Sequence, residues 1–107
     1  MRTIIALFVL MVSVGLSAQG FVPKNLKVLP ADVDIRAMMG SFKEGLGVAC
    51  SYCHVQGNFA SDENPKKNLA RQMIRIVMDV NSMLPEGVSR VACYTCHRGQ
   101  IKPVSAP

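Results

Sequence analysis

The sequence predicts an all-α fold, and three observations lead to that prediction. Apolar residues recur at helical spacing in two stretches of the chain. No segment between them alternates apolar and polar residues as a half-buried strand would. Each helical stretch is followed by a turn and then by the same short motif, C-x-x-C-H. The chain is therefore predicted to use one layout twice: a helix, a turn and a motif.

The first twenty residues are predicted to be a secretory signal peptide, outside the fold. Met1 and Arg2 begin a short positive start, residues 4–16 form an apolar run, and residues 17–20 are small or polar. The run is short for a membrane span, so retention as an N-terminal anchor is the less favoured alternative. Residues 21–107 then form a single small domain.

The first helical unit follows an extended lead-in. Residues 21–30 contain two prolines, which favour extended structure. A helix is expected to begin near Ala31, and Gly45 and Gly47 are expected to end it, just before the motif at residues 50–54. Its apolar stripe consists of Ile35, Met39, Phe42 and Leu46.

The second unit begins after a polar segment, residues 55–63, which is expected to be a loop. Asn64 and Pro65 predict a helix start, with Asn as the N-cap and Pro at the first helical position. Residues 85–87, Pro-Glu-Gly, are expected to end this helix before the second motif at residues 93–97. The apolar stripe consists of Leu69, Met73, Ile76, Val77, Val80 and Leu84.

Each C-x-x-C-H motif is the attachment signature of a c-type haem. The thiols would bond to the porphyrin vinyl groups, and the following histidine would be an axial ligand to the iron. The attaching cysteines would be Cys50, Cys53, Cys93 and Cys96, and the axial histidines His54 and His97. These residues are all the cysteines and histidines of the chain. The predicted fold is therefore a small multihaem c-type cytochrome, with two helix–turn–C-x-x-C-H units around two covalently bound haems.

Two other uses of the cysteines were weighed. Two C-x-x-C pairs are the pattern of a four-thiolate zinc site, and four cysteines in an exported chain could pair as disulfides. Neither use needs a histidine after each pair, and a signal peptide argues against a zinc ribbon. The motifs therefore favour haem c and its iron over both alternatives.

The charge of the chain is basic. The formal net charge is +5, or +4 without Arg2, which suggests an acidic partner. Ionised haem propionates would offset most of this charge. No basic cluster with interleaved aromatic residues is present in the sequence, which argues against nucleic-acid binding.

The second axial ligand of each iron cannot be a further histidine, because both histidines are already used. The candidates are a methionine, a lysine, a tyrosine, the new amino terminus or an open position. Met39 and Met73 lie centrally on the two apolar stripes, although core packing explains a methionine there equally well. A His/Met pair would fill the iron coordination, which favours electron transfer over catalysis. The methionines after residue 20 are Met38, Met39, Met73, Met78 and Met83.

From about Lys24 to Pro103 the sequence resembles the cytochrome subunit of photosynthetic reaction centres. The resemblance is carried by Met38-Met39, Leu46-Gly47-Val48-Ala49-Cys50-Ser51-Tyr52-Cys53-His54, Phe59-Ala60-Ser61-Asp62, Leu69-Ala70-Arg71-Gln72-Met73 and Val91-Ala92-Cys93-Tyr94-Thr95-Cys96-His97-Arg98-Gly99. That family holds four haems in two similar halves, and this chain looks like one free-standing half. In the family, the helix before the attachment site supplies the axial methionine for three of the four haems. The resemblance thus implies Met39, with Met38 as its alternative, and Met73.

The expected function is that of an exported dihaem cytochrome, periplasmic or extracellular. It would transfer electrons between redox proteins, one of which could be a membrane complex, and it is not expected to be an enzyme. Two alternatives remain open at this point. One is a dihaem peroxidase-like enzyme with one iron able to open. The other is an assembly subunit that associates with itself through haem edges.

Overall fold

The computed structural model describes residues 21–106, so the predicted signal peptide at residues 1–20 lies outside the described residues. Within residues 21–106, the strand-like structure is one isolated antiparallel bridge between Val55 and Asn58. The prediction of an all-α fold is confirmed. The regular elements are helix α1 (Ile35–Leu46), a 3₁₀ turn (Cys50–Tyr52), helix α2 (Lys66–Met83) and helix α3 (Cys93–His97).

Helix α1 begins later than the sequence pattern predicts. The carboxylate of Asp34 accepts a hydrogen bond from the N–H of Ala37 at 3.1 Å, so Asp34 is the N-cap and the predicted start at Ala31 is too early. The helix ends at Leu46 and is capped by Gly47, whose φ of 63° is left-handed and whose N–H donates to the carbonyl oxygen of Lys43 at 2.8 Å. Gly45, predicted to help end the helix, lies inside it.

Helix α2 begins at Lys66, one residue after the predicted first helical position at Pro65. The side-chain oxygen of Asn64 accepts from the N–H of Lys66 at 3.0 Å, in the manner of a capping residue. The helix ends at Met83, because Leu84 is already extended ahead of Pro85.

The end of α1 packs directly against α3. A Cβ atom on Gly45 would lie 2.7 Å from the Cβ of Cys93 and 2.9 Å from the backbone nitrogen of Tyr94, so a side chain has no room there. The N–H of Gly99 donates to the carbonyl oxygen of Gly45 at 2.9 Å. The helix that precedes the first motif therefore fixes the position of the second motif.

The segment before α3 is fastened to α2 by two side chains, those of Asn81 and Arg90. The amide of Asn81 donates to the carbonyl oxygen of Val91 at 2.9 Å, and its oxygen accepts from the N–H of Val91 at 2.8 Å. The guanidinium of Arg90 donates to the carbonyl oxygens of Asn81 and Leu84, which satisfies acceptors left free at the end of α2. Residues 90 and 91 are thus held on the helix that carries Met73.

The apolar side chains of residues 21–106 line a shared cavity instead of filling a central core. Over this range the buried residues are Gly45 and His97, and no large apolar side chain is fully buried. In the same range no helix combines the length and the apolar character that crossing a bilayer requires.

Candidate haem site

The first motif is wound into a single 3₁₀ turn. The N–H groups of Cys53 and His54 donate to the carbonyl oxygen of Cys50 at 3.3 and 3.0 Å. The side-chain amide of Asn64 donates to the carbonyl oxygen of Tyr52 at 2.9 Å, which connects this turn to the start of α2. Local winding therefore brings both cysteines and the histidine onto one short turn.

The imidazole of His54 is oriented by Phe59. Its Nδ1 lies 2.9 Å from the carbonyl oxygen of Phe59. A carbonyl oxygen can only accept, so Nδ1 carries the hydrogen and Nε2 keeps a free lone pair. The Phe59 ring also packs edge-on against the imidazole, with centroids 5.3 Å apart and planes at 88°. A hydrogen bond at Nδ1 that leaves Nε2 free is the arrangement of a metal-binding histidine.

The second motif repeats this arrangement on a different backbone. Residues 93–97 form α3, and Arg98 and Gly99 then turn the chain back with φ values of 53° and 78°. This turn brings the carbonyl oxygen of Gln100 to 2.9 Å from Nδ1 of His97. His97 is buried, with 8% of its surface exposed, and its Nε2 is again the free nitrogen.

One cavity of about 760 Å³ collects the residues that the sequence singles out. Its walls are mainly apolar and come from the lead-in, all three helices and the first motif. A volume of this size is within the range of cofactor and ligand pockets. All eight predicted site residues line it: Cys50, Cys53, Cys93, Cys96, His54, His97, Met39 and Met73.

The structure separates Met39 from its neighbour Met38. Met39 lines the large cavity together with both histidines. Met38 lines a smaller cavity of about 340 Å³ between α1 and α2, together with Met78. Met83 is 74% exposed. Among these methionines, Met39 and Met73 are therefore the two that share a cavity with imidazole nitrogens.

A cluster of charged side chains around Asp62 holds the loop that follows the first motif. Asp62 contacts the side chains of Lys27 at 2.6 Å, Arg71 at 2.9 Å and Lys67 at 3.4 Å. The hydrogen bond from Lys27, followed by that from Arg71, holds the pKa of Asp62 well below its usual range. The amide of Asn25 adds a hydrogen bond to the carbonyl oxygen of Ala60 at 2.7 Å. Lead-in, loop and α2 are thus joined at one point.

Within residues 21–106, no disulfide joins any of the four cysteines. Among residues 21–106, no three His, Cys, Asp or Glu side chains come together as a metal site would require, so the four-cysteine zinc alternative has no site there. Burial raises the pKa of the thiols of Cys53 and Cys93, with the charge of Lys66 opposing the effect at Cys53. The thiols of the two motifs are separate pairs, as covalent haem attachment requires.

These features define the class of protein. Two C-x-x-C-H motifs border a large apolar cavity, and each presents an imidazole with a free Nε2. Thioether-forming cysteines, nitrogen and sulfur ligands and apolar walls fit the chemistry of haem c. The site is therefore that of a c-type cytochrome, with residues that fit covalently bound haem c and its iron.

The family follows from comparison with known sequences. Residues 22–106 match the family described as photosynthetic reaction centre cytochrome C subunit. This match covers most of the chain, so the protein belongs to that family. The resemblance noted in the sequence is thereby confirmed.

Individual relatives are much longer than this chain. Cytochrome c-554 of Chloroflexus aurantiacus is 53% identical over 81 residues, which covers 68% of this chain and 20% of that protein. The photosynthetic reaction center cytochrome c subunit of Thermochromatium tepidum is 46% identical over 63 residues, covering 57% of this chain and 15% of the relative. The photosynthetic reaction center cytochrome c subunit of Rubrivivax gelatinosus is 33% identical over 84 residues, covering 63% of this chain and 23% of the relative. The chain thus spans about a fifth of the curated relatives.

The sequence pattern misses the residues that orient the histidines. Phe59 and Gln100 act through backbone carbonyl oxygens, which every residue type possesses, so nothing in the sequence distinguishes them. The role of Gly45 depends on a contact with Cys93, far along the chain. Asp62 had a detectable signal, because it is one of two acidic residues among several cations between residues 60 and 75.

Proposed function

We propose that this protein is a dihaem electron-transfer cytochrome, with one haem c on each C-x-x-C-H motif and His/Met coordination at both irons. In this proposal His54 and Met39 are ligands of one iron, and His97 and Met73 are ligands of the other. The observation that carries it is the single cavity that both histidines and both methionines line, with each Nδ1 bound to a carbonyl oxygen. The residue pairing follows the order of helix and motif in the family.

In this proposal some residues attach the haem and others orient its histidine ligands. When bound, haem c supplies one-electron exchange at its iron. The cysteines anchor the group, and the carbonyl oxygens of Phe59 and Gln100 fix the tautomer and plane of the imidazoles. The apolar walls would give a bound haem surroundings of low polarity, which favour the less charged ferrous state. Two protein ligands at each iron leave no position for a substrate, so the proposed role excludes catalysis.

Location and partners follow from the N-terminus and the family. Residues 1–20 are proposed to be a cleaved signal peptide, and residues 21–107 the exported domain, periplasmic or extracellular. The proposed partners are other redox proteins. The names of the relatives from Thermochromatium tepidum and Rubrivivax gelatinosus support a photosynthetic reaction center as one such partner.

Mass spectrometry of the exported holo protein tests the haem count and signal cleavage together. We expect a chain that begins near residue 21 and carries two haem groups. A mass with one haem or none would refute the dihaem proposal. A high-spin spectrum with rapid reaction toward peroxide would instead favour the peroxidase-like alternative.

The methionine ligands are tested by the far-red Met–iron absorption band. Met39→Ala and Met73→Ala should each remove about half of this band, because each would lose one of two thioether ligands. Met38→Ala and Met78→Ala are matched controls, since both side chains line the smaller cavity, and the band should stay intact. An unchanged band in both Met39→Ala and Met73→Ala would refute the assignments.

A further inference from the structure

The two imidazoles make the same hydrogen bond in different surroundings. His54 and His97 each place Nδ1 at 2.9 Å from a backbone carbonyl oxygen. At the first motif that oxygen, on Phe59, also accepts from the ammonium of Lys67 at 2.7 Å. At the second motif, the oxygen of Gln100 accepts from His97 alone among the residues between 21 and 106. The two acceptor oxygens therefore differ by one donor, the ammonium of Lys67.

The ammonium of Lys67 is fixed in place. Its side chain is 12% exposed, and it also donates to the carbonyl oxygen of Ser61 at 2.8 Å. The carboxylate of Asp62 lies 3.4 Å away, but the same carboxylate is shared with Lys27 and Arg71. The cluster thus keeps a net positive charge beside the first motif, and Lys67 is the member that touches the acceptor of His54.

The hydrogen bond from Lys67 to the carbonyl oxygen of Phe59 changes how strongly His54 can donate electron density to an iron. An oxygen that already accepts from an ammonium is a poorer acceptor for Nδ1–H, so the imidazole gains less anionic character. A less anionic imidazole stabilises ferric iron less, and the nearby positive charge opposes the ferric state directly. Both effects favour the reduced state at the first motif.

We propose that Lys67 is a positioning residue for His54 that raises the electron affinity of the haem on the first motif, acting through the carbonyl oxygen of Phe59. The second motif lacks this contact. This inference rests on the dihaem function proposed above. Lys67, which is not an iron ligand, would thus make the electron affinities of the two haems unequal.

The test is a redox titration of the holo protein, with each haem followed through the NMR signal of its axial methionine methyl group. Lys67→Met should lower the equilibrium constant for reduction of the haem on the first motif by about tenfold, equivalent to about 59 mV for a one-electron couple. The haem on the second motif should change by less than about twofold, since it lies outside this cluster.

Lys66→Met is the matched control. It removes the same charge from the adjacent position, but its ammonium lies 3.7 Å above the Tyr52 ring and contacts no acceptor of His54. We expect less than about a threefold change there, because an exposed charge is screened by solvent. Unchanged reduction in Lys67→Met, or an equal change in Lys66→Met, would overturn the inference.

Failure of the dihaem proposal is recognised separately, because mass and the Met–iron band of the wild type are measured first. If Lys67→Met does not retain haem, the ferrous wild type gives a second test. The Nδ1–H proton of His54 should resonate upfield of that of His97, since its hydrogen bond is weaker. The opposite order would overturn the inference without any variant.

Discussion

The N–H of Gly99 donates to the carbonyl oxygen of Gly45 at 2.9 Å, joining α1 to the residue that follows the second motif by two positions. The two helix–motif units are therefore interlocked, because the helix of the first unit packs against the motif of the second. A change at this junction should affect the second motif although it lies in the first unit.

Gly45→Ala is expected to destabilise the holo protein by about 1–3 kcal/mol, the usual cost of overpacking a tight contact. The new methyl group would meet Cys93 and the backbone of Tyr94 at distances below 3.0 Å. Urea unfolding measures the loss. Gly40→Ala is the control, since nothing lies within 4 Å of a Cβ there and alanine favours the helix. Equal stability of the two variants would contradict the packing described for α1 and α3.

Gly47→Ala is expected to cost about 2 kcal/mol or more, because a φ of 63° disfavours a side chain and the Cβ would overlap the carbonyl oxygen of Gly99. Gly87 has a φ of 80° but open space around its Cβ, so Gly87→Ala should suffer the backbone strain alone. Thermal unfolding compares the two. A smaller loss in Gly47→Ala than in Gly87→Ala would show that the Gly99 contact is unimportant.

Asp62→Asn is expected to reduce stability at neutral pH and to change its pH dependence. A carboxyl with a lowered pKa stabilises the fold fully above its unfolded-state pKa of about 4. That contribution is lost as the pH falls from there toward the folded-state pKa. The stability difference between wild type and variant should therefore shrink below about pH 4. Thermal unfolding of both proteins across pH 2–8 measures this difference in stability.

Glu63→Gln is the control for Asp62→Asn. Glu63 is the neighbouring acidic residue and is exposed, and no ion pair to it occurs in the described part of the chain. This variant should keep the acid-dependent stability of the wild type. A pH profile of Asp62→Asn that parallels the wild type down to pH 2 would refute the role of the cluster.

Asn81→Ala should destabilise the protein by about 2 kcal/mol, because it leaves the N–H and carbonyl oxygen of Val91 without partners in a half-buried position. Gln72→Ala, an exposed change on the same helix, should stay within about 0.5 kcal/mol of the wild type. Amide hydrogen exchange locates the effect, since exchange at Val91 should accelerate in Asn81→Ala. Unaltered exchange at Val91 would contradict the role assigned to the Asn81–Val91 hydrogen bonds.

The sequence predicts the helices and motifs well because their signals are local. The apolar stripes and the Asn64-Pro65 start depend on residues within a few turns of one another, and α2 begins within one residue of the predicted position. The start of α1 is predicted too early because Ala31 follows Pro30 in a turn, and Asp34 provides the cap instead. Helix α3 is only five residues long, too short for apolar periodicity to reveal.

The arrangement around the site is less predictable because it depends on distant partners. Lys27 and Asp62 are 35 positions apart, and no local pattern pairs them. The contact between Lys67 and the carbonyl oxygen of Phe59 cannot be predicted from the sequence, because every residue type has a backbone oxygen. The C-x-x-C-H motifs and the family resemblance single out the residues proposed for the site, whereas the groups that orient the imidazoles have no local signal in the sequence.

The junction between Gly45 and Gly99 also makes the protein tolerant of a break in its chain. The exposed turn at residues 85–87 lies between the two ends that this junction holds. A protease cut in that turn would leave the fragment from residue 88 to residue 107 attached through α1 and through the Asn81–Val91 hydrogen bonds. The product would be a two-piece complex with both motifs retained, a route to preparing each half with its own isotope label.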